Sequence, residues 1–197
     1  MHSAKLIRWS GLLAIVGGVM WTGSWILNAF LGLSERGSRR MLDPAMLFFM
    51  ASLVGFYARQ AGKTRKLGKT GFIIGLAGLG TMLIGNVIEF WVGPLLYDHV
   101  PGEFKPTDHL GWATVIVGFV VMPIGFILLG VATLRAKVLP GWRRALPLII
   151  GLMVTSGMLL AFGIGEAGLV INFLSFSLGW IVLGYVVWSD RSEQKVA

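Results

Sequence analysis

The residues able to do chemistry in this 197-residue chain are few and lie close together. One segment carries two Asp-His dipeptides, Asp98-His99 and Asp108-His109. Imidazole beside carboxylate can hold a divalent metal and activate its bound water, or can serve as an oriented general base. Asn86 and Glu89 stand one helical turn apart, and Asn172 lies in a later apolar stretch. An ionisable or amide group inside an apolar stretch is a candidate for binding a solute, an ion or a lipid head. These residue types make Glu89, Asn86, Asn172, Asp108 and His109 the expected binding residues. Asp98, His99 and His109 are the candidates for a metal, but neither dipeptide has the spacing of a His-Glu-x-x-His helix, so no metal is assigned to them.

Other chemistries are excluded by what is missing. The chain has no cysteine, which removes thiolate nucleophiles, iron–sulfur clusters and cysteine-type zinc sites. Axial haem ligands would have to come from His2, His99 and His109. No lysine falls inside an apolar span to carry a Schiff base, and no phosphate-loop, dinucleotide or serine-hydrolase motif is present. No cofactor is expected.

The elements that must position these groups are dictated by composition. The chain is 55% hydrophobic and 13% charged, with a mean hydropathy of +0.77. A soluble domain carries about 25% charged residues. A soluble enzyme, a disordered chain and a disulfide scaffold are thereby excluded. Six apolar runs, at about 9–33, 41–58, 70–96, 109–134, 143–163 and 167–188, are long enough to cross the hydrocarbon core. Backbone groups inside lipid must be satisfied within the segment, and period-two alternation is absent, so each run is expected to be a helix. The expected fold class is all-α: one polytopic bundle of six transmembrane helices forming a single domain over 1–197. The first run follows Lys5 and Arg8 as a signal peptide would, but it is too long for one and is read as a retained helix.

The formal charge is +8, with a sequence pI of about 10.3. The basic residues lie in turns between apolar runs, so nucleic acid is not the expected partner. Alternating the spans puts 13 of the 17 basic residues on one side, and Arg36, Arg39, Arg40 and Lys105 on the other. The excess of basic residues marks the cytoplasmic side. Both termini are expected there, in an inner or plasma membrane, with the basic turns against anionic lipid heads. The stretch from Ser34 to Arg40 is the exception to the charge rule. Trp9, Trp142 and Trp188 are expected at one membrane interface and Trp91 and Trp112 at the other, while Trp21 and Trp180 fall mid-span.

Local signals place helix boundaries and faces. Asp43-Pro44 reads as a cap with proline in the first turn, and Thr107-Asp108 as a second cap. Glu166 is expected to complement the positive end of the sixth helix. Pro123 cannot donate to the carbonyl of Phe119, which predicts a bend, and Gly125 lets a neighbour approach it. At about 100° per residue, Gly75, Gly78, Met82, Gly85, Asn86, Glu89 and Gly93 share one face. Gly11, Ala14, Gly18, Thr22, Trp25, Ala29 and Gly32 form a second such stripe; Gly111, Thr114, Gly118, Met122 and Gly125 a third; Gly168, Asn172, Ser175 and Gly179 a fourth. Stripes of small residues let helices approach closely in lipid, so Glu89 should face inward, near the outer end of its span. A faint recurrence of basic, glycine and methionine positions is compatible with three helical hairpins in one orientation.

Three functional classes fit these residues. The favoured one is a component that binds or transports a small solute, an ion or a lipid at a polar site near the outer face. The second is an accessory or assembly subunit of a membrane complex, or a chain that pairs with copies of itself. The third is a membrane-embedded enzyme using Glu89, the Asp-His pairs and Glu166 from the outer side.

Overall fold

In a computed structural model, residues 2–32, 34–97 and 106–189 are described. Every regular element among them is helical. Helix α1 spans His2–Leu31, and a short α2 at Glu35–Arg40 leads through Met41 into α3, Leu42–Gln60. Helix α4, Arg65–Val87, passes into a π-helical turn at Ile88–Val92 and then into α5, Gly93–Tyr97. Helix α6 covers Pro106–Ala136; a 3₁₀ turn at Gly141–Ala145 precedes α7, Leu146–Ile164, and α8 runs Glu166–Ser189.

Among the described residues, six helices are long and apolar enough to cross a membrane. The fold is therefore compatible with a multi-pass membrane protein. The side chains agree: Val19, Ile73, Ile84, Val117 and Leu178 all face outward along the spans. An apolar exterior of this extent is incompatible with water and suits acyl chains.

The six spans form a closed ring. Helix α1 packs on α3, α3 on α4, α4 on α6, α6 on α7, α7 on α8, and α8 returns to α1. The ring closes through Gly11, whose added Cβ would lie 2.7 Å from the carbonyl oxygen of Gly184, and through the hydrogen bond that Thr22 Oγ1 donates to Ser177 Oγ at 2.7 Å. Arg8 stacks over Trp188, so the two ends of the described chain meet at one end of the bundle, the terminal end. The interior is aromatic. Phe49 stacks on Trp180 at 4.5 Å between centroids, and Phe126 and Phe176 meet the same indole edge-on. Rings in these geometries add about 0.5–1.5 kcal/mol per pair beyond the area they bury.

The small-residue faces explain the tightest contacts. Gly75, Gly78, Met82, Gly85, Asn86, Glu89 and Gly93 are all buried, as the phase of that stripe requires. Helix α4 meets α6 backbone to backbone: a Cβ on Gly78 would strike Met122, and one on Gly125 would strike Gly75. No hydrophobic force drives helices together in lipid, so this close van der Waals contact carries the association. Pro123 lies inside α6, buried two residues before that Gly125 contact. Between α7 and α8 a single residue turns the chain; Gly165 adopts φ +60°, a backbone conformation that strains side-chain-bearing residues.

Two expected caps are corrected. Helix α6 begins at Pro106, so Thr107 and Asp108 lie within its first turn, where proline is tolerated because its missing N–H has no partner there. Helix α3 begins at Leu42, and its boundary residue Met41 makes no side-chain cap bond. Met41 is itself in helical conformation, at φ −68° and ψ −16°. The chain thus turns directly from α2 into α3, and Asp43 sits inside the helix, its carboxyl group occupied elsewhere.

Candidate functional site

At the end of the bundle opposite the terminal end, a cavity of about 360 Å³ opens between the helices. Ligand pockets occupy about 300–1,000 Å³, so this one has the size of a small-molecule site. Its walls come from every span. Trp21 and Trp25 stand on α1, Leu42 and Met46 on α3, and Met82 and Asn86 on α4. Trp112, Ile116 and Phe119 line it from α6, Met158 from α7, and Asn172 and Phe173 from α8. Glu89 and Phe90, in the π-helical turn, and Arg39, from α2, complete the wall.

Glu89 owes its position to that turn. Pro94 has no N–H, so the carbonyl of Phe90 lacks the donor four residues on that an α-helix would supply. Arg40 Nε donates to the Phe90 carbonyl instead, at 2.9 Å. One residue earlier, the N–H of Gly93 reaches five residues back to Ile88. The wider turn inserts a residue into the helix, a device found often at functional sites. Gly111 of α6 packs directly on Glu89, with its added Cβ 2.6 Å from the Glu89 Cβ. A larger residue at 111 would push the carboxylate away from the wall.

A polar network braces the same turn from behind. Asn86 Nδ2 donates both to Asp43 Oδ1 at 2.7 Å and to the Arg39 carbonyl at 3.0 Å. Trp91 Nε1 donates to Asp43 Oδ2 at 2.6 Å. The Arg40 guanidinium lies 4.4 Å from the centroid of the Trp91 ring. Two donors in line with two carboxyl oxygens, and a cation over the indole that supplies one of them, lock α2, α3 and the end of α4 together.

Arg39 points the other way. Its guanidinium carbon is 5.5 Å from the Trp25 centroid and 5.4 Å from that of Trp112, so the cation bridges two aromatic faces at the cavity wall. Behind it lies a second hollow of about 30 Å³, lined by Ser24, Asn28 and Ser38 together with Trp25, Arg39 and Leu42. Deeper in the main cavity two polar atoms are buried with no hydrogen-bond partner: Asn172 Oδ1, on a residue 2% exposed, and Trp21 Nε1, on a residue 1% exposed. Buried polar groups are nearly always paired; here Asn172 Oδ1 packs where a side chain on Gly157 of α7 would go.

The structure brings Asn86, Glu89 and Asn172 to one cavity, from two helices and a turn. His109 is exposed at the start of α6 and does not line it. Asp98 and His99 lie outside the described residues, as do the side chains of Asp108 and Glu166. Among the described residues no three His, Asp or Glu side chains come together as a metal site. Sequence reasoning missed Arg39, Arg40, Asp43 and the tryptophans around them as site residues. One signal was available: arginines on the side that the charge distribution otherwise keeps free of them.

The chain matches no protein-family model, and no significant match was found among curated proteins or solved structures.

Proposed function

We propose that this chain is a multi-pass protein of the cell membrane, with both termini cytoplasmic, that binds a small amphiphilic molecule in the cavity beside Glu89. The observation that carries the reading is the wall itself. An aromatic and aliphatic lining of drug-like volume holds a few convergent polar groups, the usual make-up of a ligand site. The polar groups are graded. Arg39 and Glu89 belong to the α2 corner and the end of α4, while Trp21, Met82 and Phe119 lie further along their helices toward the middle. A molecule with a polar head and an apolar body matches that gradient. A volume of 360 Å³ corresponds to about a dozen water-sized groups at roughly 30 Å³ each. One short chain or a few fused rings fits; a complete two-chain lipid does not.

The basic turns at the terminal end support the cytoplasmic orientation and suit contact with anionic lipid heads. Sequential packing of α1 on α3, α4 on α6 and α7 on α8 suits a build from three hairpins. The cavity is the end of the protein that would face outward, as a component handing an amphiphile to or from the outer leaflet requires.

The test is native mass spectrometry of the protein released from its host membrane. Wild-type protein is expected to retain one small amphiphile per chain. Met158→Trp, which fills the cavity from α7, is expected to lose it at least tenfold while the helical content by circular dichroism is unchanged. Equal retention by both proteins would overturn the proposal.

A further inference from the structure

The cavity wall already contains an occupant of defined chemistry. The Arg39 guanidinium sits between Trp25 and Trp112 at 5.5 and 5.4 Å, the arrangement by which aromatic faces recognise organic cations. Within the same wall stands a carboxylate, Glu89, fixed by the π-helical turn and by Gly111. A third feature is independent of both: Asn172 Oδ1 is a buried acceptor without a donor. Two aromatic faces and a carboxylate, beside a buried acceptor that packs against Gly157 of α7, together match a cation that carries N–H groups. An anionic head could approach Arg39, but that cation is already engaged by two aromatic faces and shares its wall with the Glu89 carboxylate.

We infer that the cavity is selective for lipophilic ammonium compounds, a protonated amine on an apolar body of about a dozen heavy atoms, and that Arg39 holds the aromatic slot as an intramolecular competitor for that ligand. This inference rests on the reading of the cavity as an amphiphile site and adds the sign of the head. The ligand's N–H groups bind Glu89, its charge lies against Trp25 and Trp112, and its body lies among Met46, Met82 and Phe119. No bond is made or broken. Arg39 sets the threshold: the ligand must displace it, so an uncharged amphiphile of equal length binds the tail pocket alone.

The experiment holds the tail constant and varies the head. Decylammonium, decyl sulfate and decyl maltoside are titrated at pH 7 into the full chain in phosphatidylcholine nanodiscs, by isothermal titration calorimetry with empty nanodiscs subtracted. Decylammonium is expected to bind about tenfold more tightly than either of the others, the range that desolvated cation–π and charge contacts provide. Glu89→Gln is expected to bring decylammonium down to the affinity of decyl maltoside. Arg39→Gln is expected to tighten decylammonium severalfold, because it removes the competitor. Trp112→Leu, at a partly exposed position, carries the test should the Glu89 variant not fold; it is expected to weaken decylammonium at least threefold more than it weakens decyl maltoside. Equal affinities for the three heads, preference for the sulfate, or weaker decylammonium binding by Arg39→Gln would each overturn the inference while leaving the cavity reading intact. Saturable binding of none of the three would overturn the cavity reading itself.

Discussion

Asp43 uses both carboxyl oxygens on donors from a different helix. Asn86 and Trp91 reach it at 2.7 and 2.6 Å, and they sit on either side of Glu89 in sequence. The pair of bonds therefore fixes the start and the finish of the segment that presents Glu89 to the cavity. Hydrogen bonds to a carboxyl group of this kind are worth about 1.5–3 kcal/mol each, and removing the acceptor strands both donors. Asp43→Ala is expected to lower the free energy of unfolding by about 3 kcal/mol, and Trp91→Phe, which keeps an aromatic face under Arg40, by about 1 kcal/mol. Reversible unfolding by dodecyl sulfate in mixed micelles, followed by circular dichroism, measures both. A larger loss for Trp91→Phe than for Asp43→Ala would show that the Asp43 carboxyl group is not what holds the turn. Little of this was legible in the sequence. Asp43 stands next to a proline near the start of an apolar run, and local rules make that a cap. Its real partners are 43 and 48 residues away, a separation at which spacing carries no information.

At the level of the helix, the glycine faces were legible because phase is a local property. Seven residues from Gly75 to Gly93 repeat at helical spacing, and all seven are buried. What phase cannot give is the partner. The contact of α4 with α6 depends on Gly78 fitting against Met122 and Gly75 against Gly125. Gly78→Ala is expected to destabilise the protein by about 1–3 kcal/mol, since the new methyl meets backbone that cannot move aside. Gly23→Ala is the matched control. Nothing lies within 4 Å of a Cβ built at Gly23, so the change is expected to be neutral or stabilising by up to about 1 kcal/mol, the helix-propensity difference. Thermal unfolding of the two variants in one detergent decides the matter; similar melting temperatures would mean that α4 and α6 are not in backbone contact. The π-helical turn was not legible at all. Gly93-Pro94 signals an interrupted helix, but whether the freed carbonyl is met by water or by a side chain depends on where Arg40 lies.

For the molecule as a whole, six spans could be read from length and hydropathy, and the described residues hold six helices of that kind. Lipid thickness sets the expected length of a span, but α1 starts at His2 and not near residue 9, and the short α2 at Glu35–Arg40 carries no hydropathy signal. The cavity was beyond reach. It is a volume left between side chains of all six spans, and no pattern along one chain encodes it. The orientation is open to a direct measurement, since a chain without cysteine accepts single cysteine labels on a silent background. Lys66→Cys, exposed in the first turn of α4, is expected to react with a membrane-impermeant maleimide only after the cells are permeabilised. Arg36→Cys, in α2, is expected to react in intact cells. The reverse pattern would invert the protein and put the cavity on the cytoplasmic side.

The contact of α8 with α1 has a consequence during synthesis. The first helix enters the bilayer long before its neighbour on that side has been made, and until then Thr22 and the glycine face of α1 have no counterpart. The cavity lacks Asn172 and Phe173 over the same interval. A chain stalled before α8 therefore has an unfinished cavity wall and a seam of small residues without its packing partner. The finished protein covers that seam in the same step that completes the wall.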